Sequence, residues 1–379
     1  MLGDTVKRTI VVSAVAVLEG GELELLRQCL QHLSRMTEDG TTRVVALVHD
    51  RALCEFPGIE YKVYPEAAKS DRVRRRCEYK QMYWDSVLMS EQDDKPIDLW
   101  LSLFDVTPQV QARCRATFCY NVLPWLKLRP RDWMMDRSLP LSVRAAKVAY
   151  RKNITKNDYL VVRQDALRQD LVRTYRVDPE KVVVFPAKEH TPPERIDTPA
   201  KAAYTFFCPS SPDCYKNFEV VCEAARLLEL EIGRRRFRLE CTVRGEDNAY
   251  GWWLKSNWDH VDSIHFGGWQ PPHKLWGWYE AADCLVYPSR AENWGRPITE
   301  FAPSGKPMLL VDLPYAREAA SGAPRVAFFP PHDPEKLKEK MKALVLGNEG
   351  ILSPAPVHPV ADPKVSDWAA LLRLLLPDE

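Results

Sequence analysis

The sequence predicts an α/β protein made of two doubly wound domains. Apolar, β-branched runs typical of buried strands alternate with segments whose leucines recur at helical spacing, and this alternation indicates parallel sheets covered by helices. The length of 379 residues favours two domains of ordinary size, each able to bury a core. Residues 191–203 fall in a stretch of mixed charge that contains three prolines and has no periodicity, so we place the linker there.

The first domain is predicted to span residues 1–190. Its opening apolar run, 9–18, is too short to cross a bilayer, and we interpret it as a buried strand. Gly20 and Gly21 follow at a strand-to-helix turn, which is either merely tight or lets the backbone approach an anion at the helix start. Further strands are expected at 43–49, 59–64, 98–104, 116–121, 158–163 and 181–185, and helices at 23–33, 78–89 and 166–175.

Two basic segments of this domain have two interpretations each. The run at 71–76, DRVRRR, is either a solvated helix face or a contact to a phosphorylated or lipid-linked ligand. Residues 123–152 are rich in Trp, Met, Arg and Lys and end in a basic amphipathic stretch. That stretch is either a plain surface helix or a segment that lies on a membrane surface.

The second domain is predicted to span residues 204–360, with 361–379 as a terminal amphipathic segment. Strands are expected at 204–208, 237–243, 284–286 and 308–311, with a polar loop at 244–252. Helices are expected at 218–230, 334–346 and 366–376.

The most informative stretch of the chain is 287–318. Glu292 and Glu300 stand eight positions apart around an aromatic-Gly-Arg-Pro turn. Pro297 suits the first turn of a helix, because its missing N–H costs nothing there. Amides at a helix start favour an anion such as phosphate. A carboxylate beside them can accept hydrogen bonds from the hydroxyls of a sugar or a ribose.

This stretch resembles the donor-binding segment of family 4 retaining glycosyltransferases, which have the GT-B fold. That family carries Glu, seven residues and Glu, with Gly and Pro between, and then Gly-x-Pro before the next strand. The matching residues here are Glu292, Gly295, Pro297, Glu300, Gly305 and Pro307. The preceding residues 263–289 also fit the family pattern. The resemblance implies two Rossmann-like domains facing across a cleft, acceptor domain first and donor domain second, with the last helix crossing back to the first domain.

The resemblance also implies roles for individual residues in binding a nucleotide-diphosphate sugar. Lys216 matches a lysine that contacts the donor diphosphate. Glu292 is expected against the donor sugar and its phosphate, and Glu300 on the ribose, the alternative for Glu300 being a buried carboxylate paired with a nearby arginine. The other expected donor-binding residues are Gly20, Gly21, Arg244, Asn293, Trp294, Gly295, Arg296, Pro297 and Ile298.

Polar residues past the strand ends of the first domain are candidates for the acceptor side, because ligands of an open parallel sheet meet the carboxyl ends of its strands. Thr107 and Asn121 are expected to bind the acceptor. Asp105 and Tyr120 are expected to act in catalysis together with Lys216 and Glu292.

Two positions depart from the family pattern. Tyr120 stands where related sequences often have a histidine that touches the donor sugar, and tyrosine cannot carry a proton near neutral pH. Asp213 lies where many members have an arginine, and its charge would repel a diphosphate unless Arg296 or Arg244 compensates. These departures leave room for an unusual substrate or for an inactive relative.

The expected reaction needs neither a metal nor another cofactor. The chain contains no Asp-x-Asp, the motif on which the metal-dependent glycosyltransferase architecture relies, so a metal-independent transfer is self-consistent. The resemblance implies retention of anomeric configuration by a front-face route, in which the departing phosphate takes the proton of the acceptor. No protein nucleophile is nominated.

Composition narrows the partners and the compartment. The formal net charge of +1 disfavours a nucleic-acid binder. The ten cysteines include no Cys-x-x-Cys pair, which disfavours a zinc site and a disulfide framework and suggests reduced thiols in the cytoplasm. We expect a cytoplasmic protein with a glycan or lipid-linked acceptor, and the basic segments add a peripheral contact with the inner face of the membrane as an alternative.

Three other functions are alternatives to sugar transfer. A catalytically weak or inactive pseudo-glycosyltransferase would bind a nucleotide-sugar or glycan as a scaffold. A sugar-nucleotide epimerase of the same fold would use a similar donor site. A phosphorylase of this architecture would usually need a pyridoxal lysine and a much longer chain, so the sequence does not favour it.

Overall fold

The computed structural model describes residues 8–18, 20–64, 72–92, 95–186, 198 and 203–376, with the backbone alone at 72–79, 92, 272 and 273. The expected linker at 191–203 lies outside the described residues except for 198 and 203, and so do the side chains of the basic run at 71–76. The chain divides into two compact units. The first consists of Met1–Asn121, Ala146–Pro186 and Val360–Glu379, and the second of Val122–Ala145 and Ala187–Pro359.

Each unit contains one sheet whose described strands are all parallel. The seven strands of the first unit, in the order β3-β2-β1-β4-β5-β6-β7, are β1 Arg8–Ala14, β2 Thr42–Val48, β3 Ile59–Val63, β4 Ile97–Ser102, β5 Ala112–Phe118, β6 Tyr159–Val162 and β7 Val182–Val184. The six strands of the second unit, in the order β10-β9-β8-β11-β12-β13, are β8 Tyr204–Cys208, β9 Phe237–Cys241, β10 Ile264–Phe266, β11 Cys284–Tyr287, β12 Met308–Val311 and β13 Val326–Phe329.

The helices of the described residues connect these strands. In chain order they are α1 Gly20–Met36, α2 Arg72–Gln92, α3 Pro130–Met135, α4 Leu139–Asn153, α5 Asp165–Tyr175, α6 Phe218–Ile232, α7 Ala249–Trp258, α8 Pro272–Ala281, α9 Arg296–Phe301, α10 Pro314–Ala319, α11 Pro334–Val345 and α12 Trp368–Leu375.

Strand β1 shows why the sheet is doubly wound. Ile10, Val11 and Val12 are completely buried. Ile10 and Val12 belong to one core cluster and Val11 to another. Because successive side chains of a strand point to opposite faces, an uninterrupted apolar run implies a core on each side of the sheet. The predicted doubly wound α/β fold is therefore confirmed.

Strand β5 begins four residues before the predicted strand at 116–121. Arg113 and Arg115 interrupt the apolar pattern there, so periodicity did not extend the strand to Ala112. In the fold each arginine pairs with an acidic residue of a neighbouring segment. Arg113 pairs with Asp98 of β4 at 3.4 Å, and Arg115 pairs with Asp158, which directly precedes β6, at 3.4 Å. Ion pairs at the sheet surface thus permit charged residues within the strand.

Helix α7 lies partly where the sequence indicated a polar loop at 244–252. Asn248 caps the helix by accepting a hydrogen bond from the Gly251 amide at 2.9 Å. A Cβ atom at Gly251 would lie 2.3 Å from the Arg244 carbonyl oxygen. The glycine that suggested a loop is therefore required for close packing inside a helix.

Residues Val122–Ala145, here called the strap, belong to the second unit, whereas the sequence division placed them in the first domain. The Arg131 guanidinium lies 4.8 Å from the centre of the Trp253 ring, and Arg129 pairs with Glu219 at 2.5 Å. Both partners belong to helices that follow strands of the second sheet. Sequence order suggested the first domain, but these side-chain contacts attach the strap to the second.

The end of the chain belongs to the first unit. Asp367 caps α12 by accepting from the Ala370 amide at 2.8 Å. The Trp368 ring then packs against Phe185 and Phe118, with ring centres 5.1 and 5.8 Å away. Leu371 and Leu375 are fully buried in the same core cluster. Apolar burial of this kind accounts for the attachment of α12.

Two further observations concern the described residues as a whole. The nine cysteines whose side chains are described are free thiols, and eight of the nine are buried. None of the helices in this part of the chain combines the length and hydropathy that a membrane span requires.

Candidate functional site

The candidate site lies at the carboxyl ends of two neighbouring strands in the second unit. Strands β8 and β11 are hydrogen-bonded to each other. From β8 the chain order runs outward to β9 and β10, and from β11 it runs the other way to β12 and β13. This is the point at which the strand order reverses, and ligands of open α/β sheets bind there. The loop after β8 carries Lys216, and the loop after β11 carries Glu292.

Lys216 and Glu292 form an ion pair. Lys216 Nζ donates to Glu292 Oε1 at 2.6 Å, and the side chains are 11% and 12% exposed. The Tyr287 hydroxyl donates to the same oxygen at 2.7 Å. Glu292 Oε2 accepts no hydrogen bond from the part of the chain that is described, so it can still accept one from a ligand. The structure thus brings together the two residues that the sequence assigned to the diphosphate and the sugar.

Glu300 occupies a more enclosed position. Its side chain is 2% exposed, its Oε1 accepts from Arg296 Nε at 2.5 Å, and its Oε2 accepts from the Tyr279 hydroxyl at 2.9 Å. Burial raises the pKa of Tyr279 well above its usual value, and the nearby carboxylate adds to the shift. Glu300 therefore has the arginine-paired arrangement that was the alternative to a ribose contact. A ribose would have to share the carboxylate with Arg296 or displace it.

The turn between the two glutamates is fixed by Gly295. Its φ of 74° lies in the left-handed region, and a Cβ there would lie 3.3 Å from side-chain atoms of Ala319, Ile298 and Tyr315. Within the described residues the amides of Gly295 and Arg296 have no hydrogen-bond acceptor. Helix α9 begins at Arg296, and its positive end adds to the attraction of an anion.

The other residues of this turn differ in accessibility. Asn293, Trp294 and Pro297 are half-buried, and Pro297 lies in the first turn of α9 as predicted. Ile298 is fully buried, and its amide already donates to the Gly295 carbonyl at 2.9 Å. In this structure neither the side chain nor the amide of Ile298 is open to a donor, and its expected donor contact stays a prediction.

Arg244, expected to offset the charge of Asp213 near a diphosphate, and Asp213 itself have other partners. The Arg244 backbone amide donates to the Asp247 carboxylate, and the Arg244 side-chain Nε donates to the Gly267 carbonyl at 3.4 Å. The Asp213 carboxylate accepts from Ser211 Oγ at 2.6 Å and from the Tyr215 hydroxyl at 3.4 Å. Asp213 is satisfied by neighbouring hydroxyls, and Arg244 lies on the loop after β9, so neither residue joins the Lys216–Glu292 pair.

Asn217 was missed as a site residue although it stands next to Lys216. Its backbone has a φ of 64° and it is completely buried. Its Nδ2 donates to the carbonyls of Pro331 at 2.8 Å and Pro288 at 3.2 Å. Its Oδ1 accepts from Arg129 Nη1 at 3.0 Å. The one available signal was the Lys-Asn dipeptide, because asparagine tolerates the left-handed region better than most residues.

In the first unit, Asp105 is a buried structural carboxylate. It accepts from the amides of Tyr120 at 2.8 Å and Asn121 at 3.0 Å, and from the Tyr150 hydroxyl. Burial raises its pKa, and these hydrogen bonds oppose the shift. Because both amides point at Asp105, it fixes the turn after β5. Asp105 is enclosed by these partners, and its expected catalytic role stays a prediction.

Tyr120 and Thr107 also make internal contacts. The Tyr120 hydroxyl donates to the Leu103 carbonyl at 2.8 Å, and burial raises its pKa well above the usual value. Thr107 is completely buried, and its hydroxyl donates to Asn157 Oδ1 at 2.5 Å. The Thr107 hydroxyl is therefore enclosed, and its expected acceptor contact stays a prediction. Asn121 is half-buried and remains the candidate at this strand end.

Gly20 and Gly21 begin helix α1, as the strand-to-helix turn predicts. Gly20 has a φ of 70°, which favours glycine, whereas a Cβ at Gly21 would meet nothing within 4 Å. Only the first glycine is therefore required by the backbone, and the open space at the second is compatible with a ligand.

Comparison with known proteins addresses the fold. Residues 204–346 match the family model described as Glycosyl transferases group 1. WaaG, a glycosyltransferase involved in lipopolysaccharide biosynthesis, aligns with a TM-score of 0.59 at 16% identity over 89% of this chain and 90% of its own. Sucrose-phosphate synthase from Thermosynechococcus elongatus aligns with a TM-score of 0.58 at 13% identity over 90% of both chains. The fold is GT-B.

A third GT-B structure was determined with ligands. HepE from Anabaena, in complex with UDP and glucose, aligns with a TM-score of 0.56 at 12% identity over 97% of this chain and 95% of its own. No significantly similar sequence was found among curated proteins. The family match covers most of the unit that holds the Lys216–Glu292 pair, and both residues of the pair lie within the match.

Among the described residues, no group of three or more histidine, cysteine, aspartate or glutamate side chains has the arrangement of a metal site. The candidate site of this GT-B protein contains one lysine, two glutamates and backbone amides. Such a set can hold an anion and a polyhydroxylated group side by side.

Proposed function

We propose that this protein is a glycosyltransferase that moves a sugar from a nucleotide-diphosphate sugar to a glycan or lipid-linked acceptor. The observation that carries the proposal is the Lys216–Glu292 pair at 2.6 Å, located at the strand reversal of the unit that matches the glycosyltransferase group 1 model. A cation suits the leaving diphosphate, and a carboxylate suits the hydroxyls of the transferred sugar.

The reaction breaks the bond between the anomeric carbon and the diphosphate oxygen, so negative charge grows on the leaving group. The Lys216 ammonium and the amides of Gly295 and Arg296 stabilise that charge. Glu292 Oε2 accepts a hydrogen bond from a sugar hydroxyl and orients the ring. Fixed donors directed at the developing charge act strongly in a site from which water is partly excluded.

The stereochemistry follows the family resemblance. We propose a retaining, metal-independent transfer in which the acceptor oxygen attacks the face that the diphosphate leaves. The acceptor proton passes to the departing phosphate oxygen, and a new glycosidic bond replaces the bond to phosphate. No residue has to form a covalent bond to the sugar in this route.

A panel of donors tests this function. UDP-, GDP-, dTDP- and ADP-linked hexoses are incubated with the protein, with and without EDTA, and released nucleoside diphosphate is measured by chromatography. We expect one nucleotide class to be turned over, equally in EDTA, and the product anomer, read by proton NMR, to match the donor. Binding of a nucleoside diphosphate without turnover would favour the scaffold alternative. Absence of binding across the panel would reject the donor site.

Glu300 provides a prediction about the ribose. In the Glu300→Ala variant, affinity for the best-binding nucleoside diphosphate should fall about tenfold, because a charge-assisted hydrogen bond contributes about 1.5 kcal/mol or more. Isothermal titration calorimetry measures the change. Thr299→Ala, which removes a hydroxyl that donates to the Arg296 carbonyl at 3.0 Å, is the control on the same helix. Equal affinities of the Glu300→Ala variant and the wild type would leave Glu300 a structural partner of Arg296.

Helix α4 suggests where the acceptor is met. Its exposed residues include Leu141, 69% exposed, and Val148, 45% exposed, among the basic residues Arg144, Lys147, Arg151 and Lys152. Basic and apolar side chains together suit the headgroup region of an anionic bilayer. We propose a cytoplasmic protein that contacts the inner face of the membrane peripherally.

Vesicle binding tests the membrane contact. In 0.1 M salt, the wild type should sediment with vesicles of phosphatidylglycerol and phosphatidylcholine and remain free with phosphatidylcholine alone. The Arg144→Glu/Lys147→Glu variant should lose at least about 30-fold in partitioning, since two basic residues near such a surface together contribute about 2 kcal/mol. Lys338→Glu/Lys342→Glu, the same charge change on α11, should retain binding. An equal loss of sedimentation in both variants would mean that the attraction comes from the overall charge of the protein and not from α4.

A further inference from the structure

The strap contains a completely buried carboxylate, Asp132, with two arginine partners. Asp132 Oδ1 accepts from Arg290 Nη2 at 2.7 Å and from Arg129 Nη2 at 3.4 Å. Its Oδ2 accepts from the Arg129 amide at 2.7 Å. Asp132 is 0% exposed. A carboxylate so deeply buried is tolerated because cations and an amide surround it.

Arg290 links Asp132 to both loops of the candidate site. Its side chain is 6% exposed and also donates to the carbonyls of Lys127 at 3.1 Å and Cys214 at 3.3 Å. The Arg290 amide donates to the Tyr215 carbonyl at 2.9 Å. Arg290 is two residues from Glu292, and Tyr215 adjoins Lys216. Arg290 therefore joins the strap to the loop that carries Lys216 and to the loop that carries Glu292.

Arg129 and Asn217 make a second connection of the same kind. Arg129 donates to Asn217 Oδ1 at 3.0 Å and pairs with Glu219 at 2.5 Å. Asn217 in turn donates to the Pro288 carbonyl at 3.2 Å, at the start of the loop that carries Glu292. The two connections meet at Asp132 Oδ1, which accepts from both arginines. They join the same three segments: the strap, the loop after β8 and the loop after β11.

We infer that Asp132 and Asn217 are positioning residues that set the separation of Lys216 and Glu292. Within the described residues, neither side chain is hydrogen-bonded to Lys216 or Glu292. Asp132 holds Arg290, and Asn217 holds the Pro288 carbonyl, so together they fix the loops from which the lysine and the glutamate extend. The positioning of Lys216 and Glu292 does not depend on the proposed function. Only its consequence rests on that function: the contacts of Asp132 and Asn217 would then set how the donor diphosphate meets Lys216.

The variants are chosen to keep the fold. Asp132→Asn preserves shape but removes the charge that holds two guanidinium groups. Asn217→Gly removes the side-chain hydrogen bonds and retains the left-handed backbone, because glycine adopts a φ of 64° without strain. Arg235→Gly is the matched control, since Arg235 is exposed and has a φ of 61°. Thermal unfolding and circular dichroism establish that each variant is folded.

A readout that needs no donor measures the pair itself. Amine labelling by acetic anhydride, followed by mass spectrometry, reports how accessible each lysine nitrogen is. In Asp132→Asn and Asn217→Gly, labelling of Lys216 should rise about fivefold. Lys338, which pairs with Glu231 and Glu335 at 3.1 Å each, should keep its wild-type rate, because a general loosening would expose it as well. The Arg235→Gly control should match the wild type at both lysines.

The origin of the effect is tested in a Glu292→Gln background. There the pair is already weakened, so adding Asn217→Gly should raise Lys216 labelling by less than twofold. Unchanged Lys216 labelling in folded Asn217→Gly, or an equal rise at Lys338, would overturn the positioning role. Altered labelling without binding of UDP, GDP, dTDP or ADP to the wild type would retain that role and reject the proposed function instead.

Discussion

Replacing Lys216 by methionine should lower kcat for sugar transfer by about 100- to 1000-fold, the range seen when one donor to a developing oxyanion is removed. The substitution keeps an apolar stem of similar shape and removes the ammonium that lies 2.6 Å from Glu292. The charge on the departing diphosphate would then be met by backbone amides alone. This is the largest effect that we expect from any single side chain.

Steady-state kinetics with the donor that the panel identifies measures this change. Lys336→Met is the control, because Lys336 is a surface lysine of the same unit, 63% exposed and 3.8 Å from Asp333. That variant should retain wild-type kcat and KM. Wild-type turnover in Lys216→Met would remove Lys216 from the site, and equal losses in both variants would indicate a general effect of charge.

Replacing Glu292 by glutamine should have opposite effects on binding and turnover. In the wild type the Glu292 carboxylate is paired with Lys216, the lysine that the diphosphate needs. A neutral amide would pair with it more weakly, so the affinity for a nucleoside diphosphate should rise. The expected gain is about tenfold, because hydrogen bonds to charged groups exceed neutral ones by about 1 kcal/mol or more. Transfer should nevertheless fall about 100-fold, since the sugar loses a charged anchor in the transition state.

Calorimetry with the best-binding nucleoside diphosphate and kinetics with its sugar separate these two effects. The gain in affinity should disappear when Glu292→Gln is made in the Lys216→Met protein, because no lysine remains to be released. Weaker nucleotide binding in Glu292→Gln alone would contradict competition between the carboxylate and the phosphate. It would show instead that Glu292 supports the nucleotide part of the donor.

The sequence predicted the second unit better than the first. Around β11 and α9, the apolar run, the glycine turn and Pro297 act over a few residues, so local pattern was sufficient to place Glu292 and Glu300 on one loop and one helix. Asp105 and Thr107 were proposed on a different argument. Both follow a strand end, where ligands bind, but only the tertiary structure shows that neighbouring amides and Asn157 occupy them.

Pairing across long sequence separations was not predictable from one chain. Lys216 and Glu292 are 76 residues apart, and Arg129 and Asn217 are 88 apart. Propensity and periodicity describe local backbone and carry no information on which charged residue meets which. The position of the strap was missed for the same reason, because its attachment depends on ion pairs and a ring contact rather than on a repeating pattern.

The sequence by itself determined the two parallel α/β layers, because strand runs and helical spacing encode which faces are buried. It also determined the kind of side chains present at the reversal point of the second sheet. The tertiary structure alone decided that Lys216 is neutralised by Glu292, that Glu300 is held by Arg296, and that the strap belongs to the second unit. These outcomes depend on distances of a few ångströms between distant residues, and the strength of a charge interaction depends on such distances and on burial.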